Sequence, residues 1–385
     1  MRITSKLPHL RPNIFSVMSA LAAEHQALNL AQGFPDFPPD PELAERMQHY
    51  ISAGYNQYAP GHGVLALRQA LVAKMQRLQG AAYDVETEIT VTVGASEAIF
   101  SAVLALVQQN DEVIILEPAY DIYEPIVTLA GGVIKRVGLD PQTFTVPWDQ
   151  VQAQVSAATR MIIINTPHNP SGTVLSQDDL QQLAEIVADT EIIVLSDEVY
   201  SDLVYAPLEH RSVASLPALQ ARSVVVGSLG KTYHLTGWKV GFCYAPAALM
   251  AEIRKVHSIN TFSVHTPAQW ALADLMQRDA TADETSADVF FPKLQEFIGG
   301  LQGTAWRLLI PQGGYFITAD YSGIQALADL DAAQCCRYLT THYKVAAIPY
   351  SAFYDQDPDL PLIRFCFAKT QDTLHQALSI IKDIE

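Results

Sequence analysis

Residues 223–241 read SVVVGSLGKTYHLTGWKVG. Ser223–Gly227 is a short apolar run that suits a buried strand. Ser228 follows it, and Lys231 stands just beyond, next to a glycine. Runs of the same kind recur upstream at Ile89–Val93, Glu112–Leu116, Met161–Asn165 and Ile192–Ser196. An apolar helix is expected from Ala95 to about Val107. Another lies between the runs ending at 165 and starting at 192, with Leu180, Leu183 and Val187 on one face and a capping start at Ser176 and Asp179. Buried strands separated by amphipathic helices predict an α/β fold, a mostly parallel sheet flanked by helices.

The pattern changes after about residue 285. A helix near 288–301, a strand near 315–320, a helix near 332–342 and short strands near 345–348 and 362–367 are expected. A last helix carries Leu374, Leu378 and Ile381 on one face. The expected organisation is a large domain of residues 43–285 and a smaller α+β domain made from 1–42 plus 286–385. A chain of 385 residues has the length for two cores.

Hydrophobic residues make up 49% of the chain and charged residues 17%, which supports a large buried core rather than disorder. The formal net charge is −17, so nucleic acid and anionic membrane surfaces would repel the protein. No apolar run is long enough to span a bilayer. The N-terminal stretch Ile14–Ala23 lacks a convincing cleavage site, so no signal peptide is expected. The four cysteines have no metal-ligand spacing and form no disulfide framework. Reduced thiols in a cytoplasmic protein without a bound metal are the simplest expectation.

The polar residues of interest sit where strands end, and ligands of open α/β sheets bind outside the carboxyl ends of strands. Lys is the side chain that forms imines with carbonyl compounds, so Lys231 is either such a group or a surface lysine in a turn. Ser228 and Lys239 beside it offer a hydroxyl and a second cation to a phosphate. Asp197, after Ile192–Leu195, either pairs with a protonated ring nitrogen or serves as a helix cap or structural ion pair. Asn169 lies in NTPHNPSG (165–172), a stretch that reads either as a hydrogen-bond donor site or as a Pro-rich turn with His168 facing solvent. Ala95 and Ser96 open a helix whose N-terminus suits an anion, while Glu97 suits the helix dipole. Arg364 lies inside an apolar run, so it clamps a ligand carboxylate or forms an internal salt bridge.

Together these segments resemble the class I/II aminotransferases of pyridoxal phosphate (PLP) fold type I. The likeness runs from NLAQGFPDF (29–37) to IRFCF (363–367). The spacing agrees as well: Asn169, Asp197 28 residues on, Lys231 34 further and Lys239 eight further. NQYAP (56–60), SDEVY (196–200), GKTYHLTGWKVG (230–241) and TFSVHTPAQ (261–269) point to the branch of bacterial methionine aminotransferases and kynurenine aminotransferase/glutamine transaminase K.

The resemblance implies that Lys231 holds pyridoxal 5′-phosphate as a Schiff base and shuttles the substrate proton. Asp197 would pair with the pyridine nitrogen, and Tyr200 and Asn169 would bond the ring's phenolate oxygen. Tyr120 would stack on the ring. Ala95, Ser96, Ser228 and Lys239 would hold the phosphate, with Tyr58 reaching in from the partner of a homodimer. Arg364 would clamp the substrate α-carboxylate, helped by Asn169 and Gly33, with Phe34 near the side chain.

Relatives often have Arg where Lys239 stands. The stretch 260–265, where aspartate-specific relatives carry a second Arg, has none here. An uncharged or aromatic amino donor is therefore expected, methionine first, then phenylalanine, tyrosine, kynurenine or glutamine, with a 2-oxo acid as acceptor in a ping-pong cycle. A cysteine-S-conjugate β-lyase of the same fold is the alternative. A non-catalytic PLP-binding regulator domain would need an added DNA-binding segment and a less acidic chain.

Overall fold

The computed structural model describes residues 3–279 and 286–385. Seven strands form the main sheet: β1 (Ile89–Val93), β2 (Glu112–Glu117), β3 (Val133–Gly138), β4 (Thr159–Asn165), β5 (Ile193–Asp197), β6 (Ser223–Ser228) and β7 (Val240–Tyr244). Their order across the sheet is β1-β7-β6-β5-β4-β2-β3. Strand β7 runs antiparallel to both neighbours, and every other pairing is parallel. The five expected strands are all present. Two more were not anticipated. Edge strand β3 carries Lys135 and Arg136, which pair with Glu112 and Glu117, so it lacks the apolar run of a central strand. Strand β7 begins beside Lys239 and holds Gly241, which hides it in the sequence.

Alternate residues of the strands point to opposite faces. Ile114, Leu116, Ile162, Ile164, Val194 and Val225 enter one core. Val113, Ile115, Met161, Ile163, Leu195, Val224 and Val226 enter the other. Leu67 and Leu71 of helix α1 (Leu65–Gln79), with Leu180 and Leu183 of helix α3 (Gln177–Val187), cover the first face. Helix α2 (Gly94–Leu106) and helix α4 (Ala247–Asn260) cover the second through Ile99, Val103, Met250 and Ile253. Each fully buried aliphatic side chain contributes about 1.5–3 kcal/mol. A charge placed at Val194, at the middle of both sheet and core, would have no partner and would break this packing. Ser176 caps α3 as expected: its hydroxyl accepts from the Asp179 amide at 3.1 Å, and the Asp179 carboxylate accepts from the Ser176 amide at 2.8 Å.

A second, antiparallel sheet holds β8 (Arg307–Leu309), β9 (Phe316–Asp320), β10 (Ile348–Pro349) and β11 (Leu362–Cys366), in the order β10-β11-β9-β8. Its core joins Met18, Ala22 and Leu30 to Phe290, Ile317, Phe365 and Leu374. Residues from the start of the chain thus share a core with residues after 286. The expected domain boundary at 285 lies outside the described residues.

Candidate active site

Four polar side chains leave the carboxyl edge of the main sheet. Asn165 closes β4, Asp197 closes β5 opposite it, Ser228 closes β6, and Lys231 follows on a single helical turn. Parallel register puts these distant residues side by side. Every residue that the resemblance implicates, except Tyr58, lines one cavity of about 330 Å³. Tyr58 stands 81% exposed outside it, its ring 5.1 Å from that of Phe262.

One end of the cavity is an anion cradle. Gly241 lets β7 approach the start of α2 so closely that a Cβ there would lie 2.5 Å from the Gly94 carbonyl carbon and 2.6 Å from the Ala95 nitrogen. Gly94 itself turns with φ +70°, and a Cβ on it would stand 3.1 Å from Lys239 Nζ. Lys239 reaches this point from a left-handed backbone, φ 53°, which costs a non-glycine residue energy and marks a position held for use. The first amides of α2, Ser96, Ser228 and the Lys239 cation therefore surround one spot.

Asp197, 3% exposed, lines the same cavity. Tyr123 donates its hydroxyl proton to Asp197 Oδ2 at 2.7 Å, and the Val199 amide donates to Oδ1 at 3.2 Å. Burial raises the carboxyl to about 6, opposed by the hydrogen bonds from Tyr123 and Val199 and by the Lys231 charge. A cation inside the cavity would complete its charge balance. Lys231 lines the same cavity, with Nζ 3.0 Å from the Tyr315 hydroxyl, and burial lowers it to about 8.

Arg364 is fully buried on β11, yet no carboxylate pairs with it among the described residues. It donates to Asn169 Oδ1 at 2.6 Å and to the Ala31 carbonyl at 3.0 Å, and its Nε has no partner there. The Phe316 ring lies 3.8 Å from the guanidinium carbon, with Phe15 and Phe353 beyond 5 Å. A buried guanidinium without a carboxylate is a site for an anionic ligand. The internal salt bridge considered for it is absent among the described residues.

The Asn169 segment is held from within: its amide donates to Asn165 Oδ1 at 2.7 Å. His168 is buried rather than solvent-facing. Its Nε2 donates to the Pro118 carbonyl at 2.9 Å and its Nδ1 accepts from Ser171 at 2.7 Å. Burial lowers it to about 4, so it is a neutral strut. Glu97 answers to a buried histidine, His257, besides its place near the helix start.

The family model for aminotransferase class I and II matches residues 25–381. The chain belongs to the class I and II aminotransferases. A methionine aminotransferase of Escherichia coli is 47% identical over 380 residues, covering 99% of this chain and 98% of the relative. Human kynurenine–oxoglutarate transaminase 1 is 34% identical, covering 92% and 91%. A solved Escherichia coli structure, described as identifying a methionine aminotransferase function, superposes with a TM-score of 0.96 at 46% identity over the full length of both chains. The N-succinyldiaminopimelate aminotransferase of Mycobacterium tuberculosis superposes at 0.93, with 36% identity and 99% of each chain covered.

This aminotransferase is PLP-dependent, as its family is. The cavity fits that group: an anion cradle, a buried carboxylate that a cation would balance and a lysine amine all line the one space. Sequence reasoning missed Tyr123, Tyr315 and Phe15. Tyr123 and Tyr315 touch Asp197 and Lys231, and Phe15 lines the cavity. Tyr123 follows Tyr120 at helical spacing, which was a usable signal. Tyr315 and Phe15 look like ordinary core aromatics, and nothing local marks them.

Proposed function

We propose that this aminotransferase takes an uncharged or aromatic amino acid, methionine first, and transfers its amino group to a 2-oxo acid in a ping-pong cycle. The observation that carries the substrate preference is the inventory of cations. Lys231, Lys239 and Arg364 are the only lysines and arginines lining the cavity among the described residues. Each already has a task, so a side-chain carboxylate would be buried without a counter-charge. The likeness to the Escherichia coli methionine aminotransferase supports the same choice. Phe15, Phe34 and Tyr120 give the cavity apolar walls that suit a thioether or a ring. No feature of the cavity favours β-elimination over transfer.

Pyridoxal phosphate supplies an electron sink for the charge left when the substrate Cα–H bond breaks. Ser96, Ser228, Lys239 and the first amides of α2, Ala95 among them, would hold its phosphate. Asp197 would pair with its ring nitrogen, Asn169 and Tyr200 would bond its phenolate oxygen, and Tyr120 would stack on it. Lys231 would hold it covalently and then carry the proton: with its amine lowered to about 8, a useful fraction is unprotonated near neutral pH. Arg364, with Asn169 and the Gly33 backbone, would grip the α-carboxylate and so aim Cα–H at Nζ.

The protein would work as a cytoplasmic homodimer. Tyr58 and Phe262, both exposed and in ring contact, together with Ile259 at 87% exposure three residues before Phe262, support a contact surface. Tyr58 would cross that contact to the partner's phosphate. Residues 43–285 would form the PLP domain, and 1–42 with 286–385 the smaller one.

The test is a donor panel with purified PLP-loaded protein, following the cofactor absorbance through a single half-reaction. Methionine, phenylalanine, tyrosine, kynurenine and glutamine should convert it faster than aspartate or glutamate. A clear preference for either dicarboxylate would overturn the proposal.

A further inference from the structure

Tyr315 stands just before β9 and is fully buried. Its hydroxyl donates to the Gly33 carbonyl at 2.9 Å. A carbonyl only accepts, so the single phenolic proton is committed there. Lys231 Nζ lies 3.0 Å from the same hydroxyl oxygen. That contact has one polarity: the amine donates and Tyr315 accepts. The rings of Tyr200 and Phe290, at 5.3 and 5.4 Å, pack the phenol in place. Burial, with Tyr200 and Cys366 nearby, raises its hydroxyl well above 10, so it stays protonated and the polarity holds across the working pH range.

We propose that Tyr315 is a positioning residue for Lys231, holding Nζ whenever that amine is not joined to the cofactor, and tying its place to the loop that carries Gly33 and Phe34. The proposal rests on the reading of Lys231 as the proton carrier. A neutral amine has two N–H bonds and one lone pair. With one N–H directed at Tyr315 at 3.0 Å and the other toward the Gly33 carbonyl at 3.5 Å, the lone pair is left for the cavity. The Cα proton moves to Nζ, the electron pair of the Cα–H bond stays behind, and the same proton later leaves Nζ. Tyr315 gains and loses none. Gly33 has no room for a side chain, since a Cβ would lie 2.6 Å from the Phe316 ring. The anchor of Tyr315 is thus the backbone carbonyl of a glycine packed against the ring of Phe316, the residue after Tyr315.

Tyr315→Phe removes the nearer acceptor, leaves only the Gly33 carbonyl at 3.5 Å, and keeps the ring. Its kcat for the methionine half-reaction should fall about ten-fold with KM within about two-fold, and the isotope effect on Cα-deuterated methionine should rise. A purely structural role would lower thermal stability without raising the isotope effect. A readout separate from turnover is the pH dependence of Lys231 acylation in the pyridoxamine-phosphate form of the enzyme, followed by mass spectrometry. Loss of an acceptor for N–H disfavours the charged amine, so the midpoint should fall by about one unit. Should Tyr315→Phe not fold, 3-fluorotyrosine at 315 keeps ring and hydroxyl, weakens the oxygen as acceptor, and should move the midpoint down by a smaller step. An unchanged midpoint and isotope effect would overturn the proposal. Lys231→Ala separates the two readings: if it keeps full half-reaction rates, the role of Lys231 itself falls, whereas its inactivity beside an unaltered Tyr315→Phe removes only the role of Tyr315.

Discussion

Tyr123 gives its hydroxyl proton to Asp197 Oδ2 at 2.7 Å, and both side chains are buried. A donor to a carboxylate favours its charged form, so Tyr123 opposes the rise that burial imposes on Asp197. Tyr123→Phe should let the Asp197 carboxyl rise above about 6. Cofactor binding that needs the ionised carboxylate would then weaken sooner as pH falls. The acid limb of PLP binding by the cofactor-free protein should shift to higher pH, with affinity about ten-fold weaker at pH 6, the scale of one hydrogen bond to a charged group. An acid limb that stays put or moves down would separate Tyr123 from this role.

Arg364 should carry the α-carboxylate of every substrate, donor and acceptor alike. Arg364→Ala should lower kcat/KM by about 10²–10⁴ for all amino acids, the cost of losing a buried charged pair. Cofactor absorbance should be little changed. Arg364→Lys should recover only a small part, because Lys lacks both the planar stack on Phe316 and the fork that now reaches Asn169 and Ala31. A variant that loses one substrate and keeps the others would point to a side-chain contact instead.

These residues differ in how far the sequence announces them. The strands around Asp197 and Lys231 are apolar runs that end in a polar residue, because a central parallel strand is buried on both faces. Position at a strand end therefore flagged Asn165, Asp197 and Ser228 together. Arg364 was visible as a charge in an apolar run, but whether a salt bridge answered it needed the structure. Tyr123 and Tyr315 were opaque: each acts through one hydroxyl, on a partner 74 or 84 residues away. Strands β3 and β7 were missed for opposite reasons, one being charged at the sheet edge and the other broken by Gly241.

That glycine makes its own prediction. A methyl group at 241 meets backbone at 2.5–2.6 Å, and no side-chain rotation relieves it. Gly241→Ala should push β7 away from the first turn of α2 and spoil the anion cradle. The PLP concentration for half-maximal activity should rise by about ten-fold or more, with a lower Tm. Inorganic phosphate, which competes for the same cradle, should inhibit PLP loading of the wild type more than that of the variant. Equal inhibition of both would show that the cradle lies elsewhere.

His257 and Glu97 should make stability depend on pH. His257 Nδ1 lies 3.0 and 3.2 Å from the two Glu97 oxygens, and Nε2 lies 2.7 Å from the Gly61 carbonyl. Both partners accept, so both ring nitrogens donate and the ring is an imidazolium. Burial pulls its pKa down, but the hydrogen bond and charge of Glu97 outweigh that and raise it above 6.5. Arg254, on the same helix, opposes the raised value. A raised folded-state value means that the stabilisation is complete below the unfolded value of 6.5 and is lost as pH climbs through the folded one. The pair braces α2, α4 and the loop 59–63 next to Tyr58, so the effect should reach the cofactor end of the fold. His257→Gln should lower Tm by several degrees at pH 6, and the gap to wild type should narrow steadily toward pH 9. Scanning fluorimetry across that range decides the matter: a gap that is constant or widens with pH would mean the histidine is held neutral.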